Sequence, residues 1–289
     1  MKPEGAFVAL VTPFSRGEVD LRKVRELVAF QLAGGVRGFC PVATTGEGPT
    51  LSRQEKAAVI RAVVEMTRRK ALVFPGTGTN DTRGTIELTR MARDLGADGA
   101  LVVTPYYNKP PQEGLYRHYE AVARAVPLPL ILYNVPGRTG VSLSPETAAR
   151  LSKIGNIVGL KDASGDVERV TQVLGLCDIA IFSGEDALTY PILCLGGRGA
   201  ISVAANLIPR PVSAMCGAAL KGDFRRARAV HDRYYALFDD LFLETNPIPV
   251  KTALRKMGKL NGEVRLPLCG MSRAGEARLV RTLRGCGLL

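Results

Sequence analysis

The sequence is short of several residue types, and each shortage excludes a class of protein. It has no tryptophan and only two histidines among 289 residues, and its six cysteines show neither a C-x-x-C motif nor zinc spacing. We therefore expect no metal site, and thiols that stay reduced as in a cytosol. No apolar run approaches the length of a membrane span, and the first one is broken by Thr12-Pro13, unlike a signal peptide. We expect a cytoplasmic protein with no membrane partner.

Phosphate-binding glycine motifs are also missing. Gly76-Thr77-Gly78-Thr79 lacks the third glycine of a dinucleotide fingerprint, and no Gly-Lys-Ser/Thr follows the glycines of Thr44–Gly48. The formal charge of +12 at pH 7 makes nucleic acid a candidate partner by charge alone. However, the basic residues are dispersed over the predicted helices without interleaved aromatics. We interpret the charge as a solvated surface that attracts small anions and predict no nucleic-acid partner.

What the sequence does contain is a regular alternation of short apolar runs and stretches of helical periodicity. The runs expected to be strands are Ala6–Thr12, Gly38–Ala43, Ala71–Thr77, Ala100–Thr104, Pro129–Asn134, Ile157–Asp162, Asp178–Ser183 and Gly199–Ala204. Eight β-α units with short connections predict an α/β fold, a (β/α)8 TIM barrel, rather than an open doubly wound sheet. We expect the barrel in residues 1–220 and a C-terminal helical extension, packed on the barrel, in residues 221–289.

One lysine lies inside a run that otherwise reads as a buried strand. Residues 157–164 are Ile-Val-Gly-Leu-Lys-Asp-Ala-Ser, with Lys161 at the centre. Burial disfavours the charged form of a lysine, and an uncharged amine is a nucleophile toward carbonyls. Lys161 is therefore a candidate Schiff-base residue. The alternative is a structural lysine paired with a carboxylate such as Asp162 or Glu185.

Active sites of (β/α)8 barrels lie at the carboxyl ends of the strands, so polar residues there are candidates for chemistry. After the second strand, the hydroxyls and glycines of Thr44–Gly48 suit a small anion such as a carboxylate. The alternative is an ordinary glycine loop before the predicted helix Arg53–Arg69, because Ser52 and Glu55 fit a capping box.

Two more strand ends carry candidate residues. Tyr133 lies near the end of the strand next to the lysine strand, where its hydroxyl can transfer protons, although a packed tyrosine is the commoner role. Arg138 follows in a loop and can hold a carboxylate through two parallel hydrogen bonds. His118 and His231 fall in predicted helices far from any strand end, and we interpret both as structural or surface residues.

Five segments carry a resemblance to a known family. They are Thr44-Thr45-Gly46-Glu47, Tyr106-Tyr107-Asn108-Lys109-Pro110, Tyr133-Asn134-Val135-Pro136-Gly137-Arg138-Thr139-Gly140, Gly159-Leu160-Lys161-Asp162 and Asn246-Pro247-Ile248-Pro249-Val250-Lys251. In these the chain resembles the 4-hydroxy-tetrahydrodipicolinate synthase (dihydrodipicolinate synthase) family of pyruvate-dependent class I aldolases, over essentially its whole length. The resemblance implies condensation of pyruvate with L-aspartate 4-semialdehyde, in lysine and diaminopimelate biosynthesis, with no cofactor.

The resemblance also implies roles for single residues. Lys161 forms the imine with pyruvate. Thr45 and the backbone beside it hold pyruvate's carboxylate, and Arg138 binds the carboxylate of the semialdehyde. The backbone carbonyls of Gly184 and Ile201 complete the pocket.

A proton relay and an oligomer follow from the same resemblance. It implies a triad of Tyr133, Thr44 and Tyr107, with Tyr107 reaching in from a neighbouring subunit. The chain is then expected to form a homotetramer built as a pair of dimers.

The sequence departs from the family pattern at two places. Where many members bind inhibitory lysine, Gly84 replaces an acidic residue and Arg53 and Lys56 replace histidines, so we expect weak or absent lysine feedback. Asp162 occupies a position that is more often glutamate and is also found in sugar-acid aldolases. The alternative function is therefore a pyruvate-dependent lyase acting on 2-keto-3-deoxygluconate or N-acetylneuraminate.

Overall fold

The computed structural model describes residues 3–68 and 70–289, and it confirms the predicted barrel. The strands are β1 (Gly5–Ala9), β2 (Phe14–Ser15), β3 (Glu18–Val19), β4 (Gly38–Cys40), β5 (Leu72–Val73), β6 (Ala100–Val103), β7 (Leu130–Asn134), β8 (Ile157–Asp162), β9 (Ala180–Ser183) and β10 (Gly199–Ser202). Eight of them form one parallel sheet in the order β5, β4, β1, β10, β9, β8, β7, β6. A parallel bridge between Gly76 and Leu101 joins its two ends. The sheet is thus nearly closed around a common interior.

Helices separate the strands and continue after the last one. They are α1 (Leu21–Ala33), α2 (Arg53–Thr67), α3 (Thr82–Asp94), α4 (Gln112–Ala125), α5 (Pro136–Thr139), α6 (Pro145–Leu151), α7 (Val167–Leu176), α8 (Thr189–Cys194), α9 (Pro209–Ala219), α10 (Phe224–Asp240), α11 (Ile248–Lys256) and α12 (Arg273–Gly285). The last three fall in the predicted helical extension, although the division at residue 220 stays a prediction. Among the described residues, no helix is both long and apolar enough to cross a membrane.

Most barrel strands end earlier than the sequence pattern predicts, because the chain bends into loops at the site end. The second predicted strand was expected to reach Ala43 but ends at Cys40, and Val42 has a φ of 52° that no extended strand allows. The β2–β3 hairpin was not predicted. Helix α2 begins as expected, with the reciprocal Ser52–Glu55 capping box in place. The predicted end of that helix, Arg69, lies outside the described residues.

The barrel interior below the site is filled by aromatic rings. The ring centroid of Phe7 lies 5.9 Å from that of Phe74 and 5.2 Å from that of Phe182. These residues belong to segments that are not neighbours in the sheet, so the rings meet across the interior. Glycine at Gly38 makes room for Phe7, since a Cβ there would lie 2.4 Å from its ring. The packed rings form a floor, and polar residues are left to the carboxyl ends of the strands.

Candidate active site

The register between β7 and β8 places Tyr133 directly beside Lys161. Both side chains are buried, with 5% and 4% of their surface exposed. Lys161 Nζ lies 4.1 Å from the centroid of the Tyr133 ring. Successive residues of a strand point to opposite faces, so this pairing holds the amine and the phenol on the same face. The arrangement gives a buried primary amine next to a group that can exchange protons.

The residues that follow each of these two, Asn134 and Asp162, are also paired in register and point the other way. Asn134 Nδ2 donates to Asp162 Oδ2 at 3.0 Å, and Arg169 of α7 donates to the same oxygen at 3.1 Å. Asp162 therefore ties the strands to α7. Within residues 3–68 and 70–289, no carboxylate lies within ion-pair distance of Lys161. Neither Asp162 nor Glu185 is therefore in direct ion-pair contact with Lys161, although the charges of Lys161 and Glu185 still interact.

Glu185 and Gly184 lie close to the lysine on the next strand's loop. Burial is the main cause that raises the pKa of Glu185, and the charge of Asp162 adds to it while Lys161 opposes it. A Cβ at Gly184 would lie 3.0 Å from Lys161 Cε and 2.6 Å from Ala163 Cβ. The glycine therefore keeps space beside the lysine side chain.

The loop Thr44–Gly48 is held rigidly at the mouth of the barrel. Thr12 Oγ1 donates to the carbonyl of Gly46 at 2.7 Å, and a Cβ at Gly46 would lie 2.8 Å from Val42 N. The backbone amides of Glu47 and Gly48 donate to carbonyls of the same loop region, at 3.1 and 3.0 Å. Those two amides are therefore not free for an anion, whereas the hydroxyls of Thr44 and Thr45 remain candidates to bind one.

A buried ion pair fixes the far side of this loop. Lys251 Nζ of α11 lies 2.5 Å from Glu47 Oε1, and the two side chains are 0% and 1% exposed. The backbone amide of Arg265 donates to the other Glu47 oxygen at 3.0 Å. Burial lowers the pKa of Lys251, and Glu47 opposes that effect. No role for Lys251 was predicted from the sequence, although it ends one of the segments that carry the resemblance.

Asn246 joins two of the predicted site residues. Its Nδ2 donates to Thr45 Oγ1 at 3.0 Å, and its backbone carbonyl accepts from Arg138 Nη2 at 3.1 Å. Asn246 and Thr45 are buried, while Arg138 stands at the exposed rim on the short helix α5. Sequence reasoning missed this function of Asn246. The available signal was a polar residue directly before the Pro-x-Pro start of a helix.

A cavity of about 380 Å³ opens at the carboxyl ends of β4, β6 and β7. Its wall contains three predicted site residues, Thr44, Tyr133 and Arg138, together with Asn246. It also contains Thr79, Tyr106, Lys56 and Glu47. A volume of this size suits a small organic molecule.

The remaining predicted site residues do not form the cavity wall. Lys161 lies against the ring of Tyr133, and Thr45 lies beneath Asn246. Ile201 is fully buried on β10, where it pairs in register with Phe7. Tyr107 is exposed over 88% of its surface, and its backbone φ is 71°. In the single chain it is therefore not part of the site.

The two histidines lie away from this cavity, as expected. His118 is buried on α4, where burial lowers its pKa to about 4 and Thr82 Oγ1 lies 2.9 Å from its Nδ1. His231 on α10 packs against the ring of Tyr190, with centroids 5.5 Å apart. No cluster of histidine, cysteine or carboxylate residues in the described part of the chain is arranged to hold a metal ion.

Comparison with known proteins gives a consistent result over the whole chain. The model of the dihydrodipicolinate synthetase family matches residues 2–285. The 4-hydroxy-tetrahydrodipicolinate synthase of Geotalea daltonii is 50% identical over 283 residues, which cover 97% of this chain and 98% of that protein. The pyruvate complex of chloride-inhibited dihydrodipicolinate synthase from Acinetobacter baumannii is 45% identical, with a TM-score of 0.97 and 99% of each chain covered. A dihydrodipicolinate synthase variant described as monomeric is 42% identical, with a TM-score of 0.97 and coverage of 99% and 97%.

Proposed function

This chain belongs to the dihydrodipicolinate synthetase family, and on that premise we propose how its barrel mouth condenses pyruvate with L-aspartate 4-semialdehyde to give 4-hydroxy-tetrahydrodipicolinate. The enzyme is a Schiff-base-forming lyase of lysine and diaminopimelate biosynthesis. The observation that carries the assignment of roles is the buried Lys161 beside Tyr133, with no carboxylate of residues 3–68 and 70–289 in direct ion-pair contact with it. The sugar-acid lyase alternative is not favoured, because the relatives are synthases.

Lys161 is the nucleophile in this proposal. Its amine attacks the ketone carbon of pyruvate, and loss of water from the carbinolamine gives the imine. Loss of a proton from the methyl carbon then gives an enamine, whose carbon attacks the aldehyde. The amine of the semialdehyde displaces Lys161 and closes the ring. The imine serves as the electron sink, so we propose that no cofactor takes part.

Protons must move at each of these steps, and we assign their transfer to Tyr133. Its ring lies 4.1 Å from Lys161 Nζ, on the wall of the cavity that also contains Thr44. A positioned proton donor and acceptor contributes roughly 10²- to 10⁴-fold to rate. We assign Tyr133 and Thr44 to a relay whose outer member is Tyr107.

Tyr107 fits this role only in an oligomer. Its ring is 88% exposed, and its backbone has a φ of 71° that is rare for a bulky residue. An exposed aromatic ring on a backbone with an unfavourable φ is consistent with a ring that inserts into a neighbouring subunit. We therefore propose at least a dimer, and a homotetramer of two such dimers. A cytoplasmic location is also part of the proposal.

The two carboxylates of the substrates need two separate anchors. Thr45 lies deep beside Asn246, and Arg138 stands at the rim. We assign pyruvate's carboxylate to Thr45 and the semialdehyde's carboxylate to Arg138, with the carbonyls of Gly184 and Ile201 completing the pocket. Arg138→Ala is then expected to raise the KM for the semialdehyde at least about tenfold, because a charged hydrogen bond is lost, and to change the KM for pyruvate little. Equal effects on both KM values would contradict this assignment.

The outer part of the same cavity bears on regulation. Lys56 lies on its wall, and burial lowers the pKa of this lysine. Arg53 lies on the same helix, 3.8 Å from Glu87, and Gly84 contributes no carboxylate. A bound lysine would meet added positive charge there, so we expect little feedback. Titration with L-lysine measures this, and inhibition at micromolar concentration would contradict the expectation.

Two measurements test the proposed function directly. The first compares condensation of pyruvate and the semialdehyde with cleavage of N-acetylneuraminate and 2-keto-3-deoxygluconate in one buffer. Fast cleavage without condensation would overturn the assignment. The second traps the imine with borohydride and measures the mass of the chain, with Lys161→Ala as the matched control. The expected result is a pyruvate adduct on the native chain and none on the variant.

A further inference from the structure

Asn246 contacts both residues to which the substrate carboxylates are assigned, but through different groups. Its side-chain Nδ2 donates to Thr45 Oγ1 at 3.0 Å, whereas its backbone carbonyl accepts from Arg138 Nη2 at 3.1 Å. Asn246 is 6% exposed and lies on the cavity wall, and Thr45 is 3% exposed. One residue of the C-terminal helical region therefore reaches both ends of the site.

The direction of the hydrogen bond to Thr45 has a chemical consequence. A threonine hydroxyl has one proton to donate and two lone pairs that accept. Because Thr45 Oγ1 accepts from Asn246, its proton is not committed to Asn246 and remains available to a carboxylate. If the amide faced Thr45 with Oδ1 instead, the hydroxyl would have to donate its proton to Asn246. A carboxylate arriving beside Thr45 would then find no proton to accept from that hydroxyl.

We propose that Asn246 is a positioning residue for pyruvate, and that its amide N–H turns the Thr45 hydroxyl proton toward the pyruvate carboxylate. The inference rests on the proposed function, in which Thr45 binds that carboxylate. The backbone of Asn246 is itself held in place, because its carbonyl accepts from Arg138 Nη2. In this arrangement Nδ2 faces Thr45 Oγ1, and Asn246 Oδ1 has no hydrogen-bond partner among the described residues.

Side-chain substitution separates the two contacts. Asn246→Ala removes the donor to Thr45 and keeps the backbone carbonyl that meets Arg138. We expect the KM for pyruvate to rise about tenfold, because a hydrogen bond to a charged group is weakened, and the KM for the semialdehyde to stay within about twofold. Asn246→Asp is nearly isosteric but replaces the donor with an acceptor. It should raise the KM for pyruvate at least as much as alanine does.

A double-mutant cycle asks whether Asn246 acts through Thr45. Thr45→Val removes the hydroxyl, so adding Asn246→Ala to it should change the KM for pyruvate by less than about twofold. If Asn246 had a merely structural role, Asn246→Ala would raise the KM for pyruvate in the Thr45→Val protein as much as in the native one. Asn156→Ala is the matched control, because Asn156 Nδ2 donates to the carbonyls of Ala123, Val126 and Leu128 at the opposite end of the barrel. It should leave both KM values unchanged.

The half-saturating pyruvate concentration for borohydride trapping gives a second readout that needs no turnover. The proposal predicts that this concentration rises in Asn246→Ala and Asn246→Asp in parallel with KM. A normal KM for pyruvate in Asn246→Asp, equal rises in both KM values, or additive effects with Thr45→Val would overturn it. If the native chain forms no pyruvate adduct at all, the proposed function fails instead. The two failures are therefore distinguishable.

Discussion

The buried pair between Lys251 and Glu47 gives a sharp prediction about stability. Both side chains are almost fully buried, and Nζ and Oε1 lie 2.5 Å apart. Lys251→Met fills a similar volume but leaves the Glu47 carboxylate buried without its cation. Breaking a buried pair in this way costs about 3 to 5 kcal/mol. Glu47 still accepts from the Arg265 amide at 3.0 Å, so we expect the lower end, about 3 kcal/mol.

Thermal unfolding at pH 7 measures the effect. With an unfolding entropy of about 2.1 cal/mol/K per residue, 1 kcal/mol shifts the Tm of a chain of this length by about 1.6 °C, so we expect Lys251→Met to lower Tm by about 5 °C. Glu47→Gln combined with Lys251→Met removes both charges and should recover at least half of that loss. Lys23→Met is the matched control, because Lys23 pairs with Glu26 on the surface and should shift Tm by less than about 2 °C.

Two results would refute this reasoning. One is a Lys251→Met protein whose Tm stays within about 2 °C of the native value, which would show that Glu47 is solvated or protonated without loss. The other is a double variant whose loss of Tm equals the sum of the losses in Lys251→Met and in Glu47→Gln, each measured alone. Additivity would mean that the two charges do not interact, in spite of the distance between them.

Two further predictions concern the relay and the pH dependence of stability. Tyr133→Phe should lower kcat roughly 10²-fold while the far-UV circular dichroism and Tm stay native, and an unchanged kcat would remove Tyr133 from the relay. Glu55 has a pKa lowered from 4.5 to about 2, first by its hydrogen bond with Arg265, so its stabilising contribution is complete above about pH 4.5 and is lost as the pH falls toward 2. Glu55→Gln should therefore lower Tm at pH 7 and lose that difference near pH 2, and a difference that grows on acidification would contradict the sign.

Much of the fold was predictable because it depends on local pattern. The alternation of apolar runs and helical periods predicted eight β-α units, and Ser52 with Glu55 predicted the start of α2. Strand ends were less predictable. Val42 adopts a positive φ of 52° in the loop after β4. Valine prefers extended backbone, so its residue type gives no indication of this conformation.

The candidate site divides in the same way. Lys161 was selected as a candidate because a lysine is unusual within an apolar strand. Tyr133 was selected because it is a polar residue near the end of the neighbouring strand. That they face each other depends on the register of β7 on β8, and a slip of one residue would have turned either side chain to the opposite face. Asp162 is not a partner of Lys161 because the two are consecutive residues of β8, and consecutive residues of a strand point to opposite faces.

What the sequence by itself determined is the order of strands and helices and the types of residue at the strand ends, since both follow from short-range periodicity. Only the tertiary structure brought Asn246 to Thr45 and Lys251 to Glu47, across separations of 201 and 204 residues. The distance in space between two residues so far apart in the chain cannot be predicted from the sequence. These contacts form only when the barrel is closed and α11 packs against its mouth. The contact between Asn246 and Thr45 is therefore a property of the fold, because the local sequence of neither residue indicates the other as its partner.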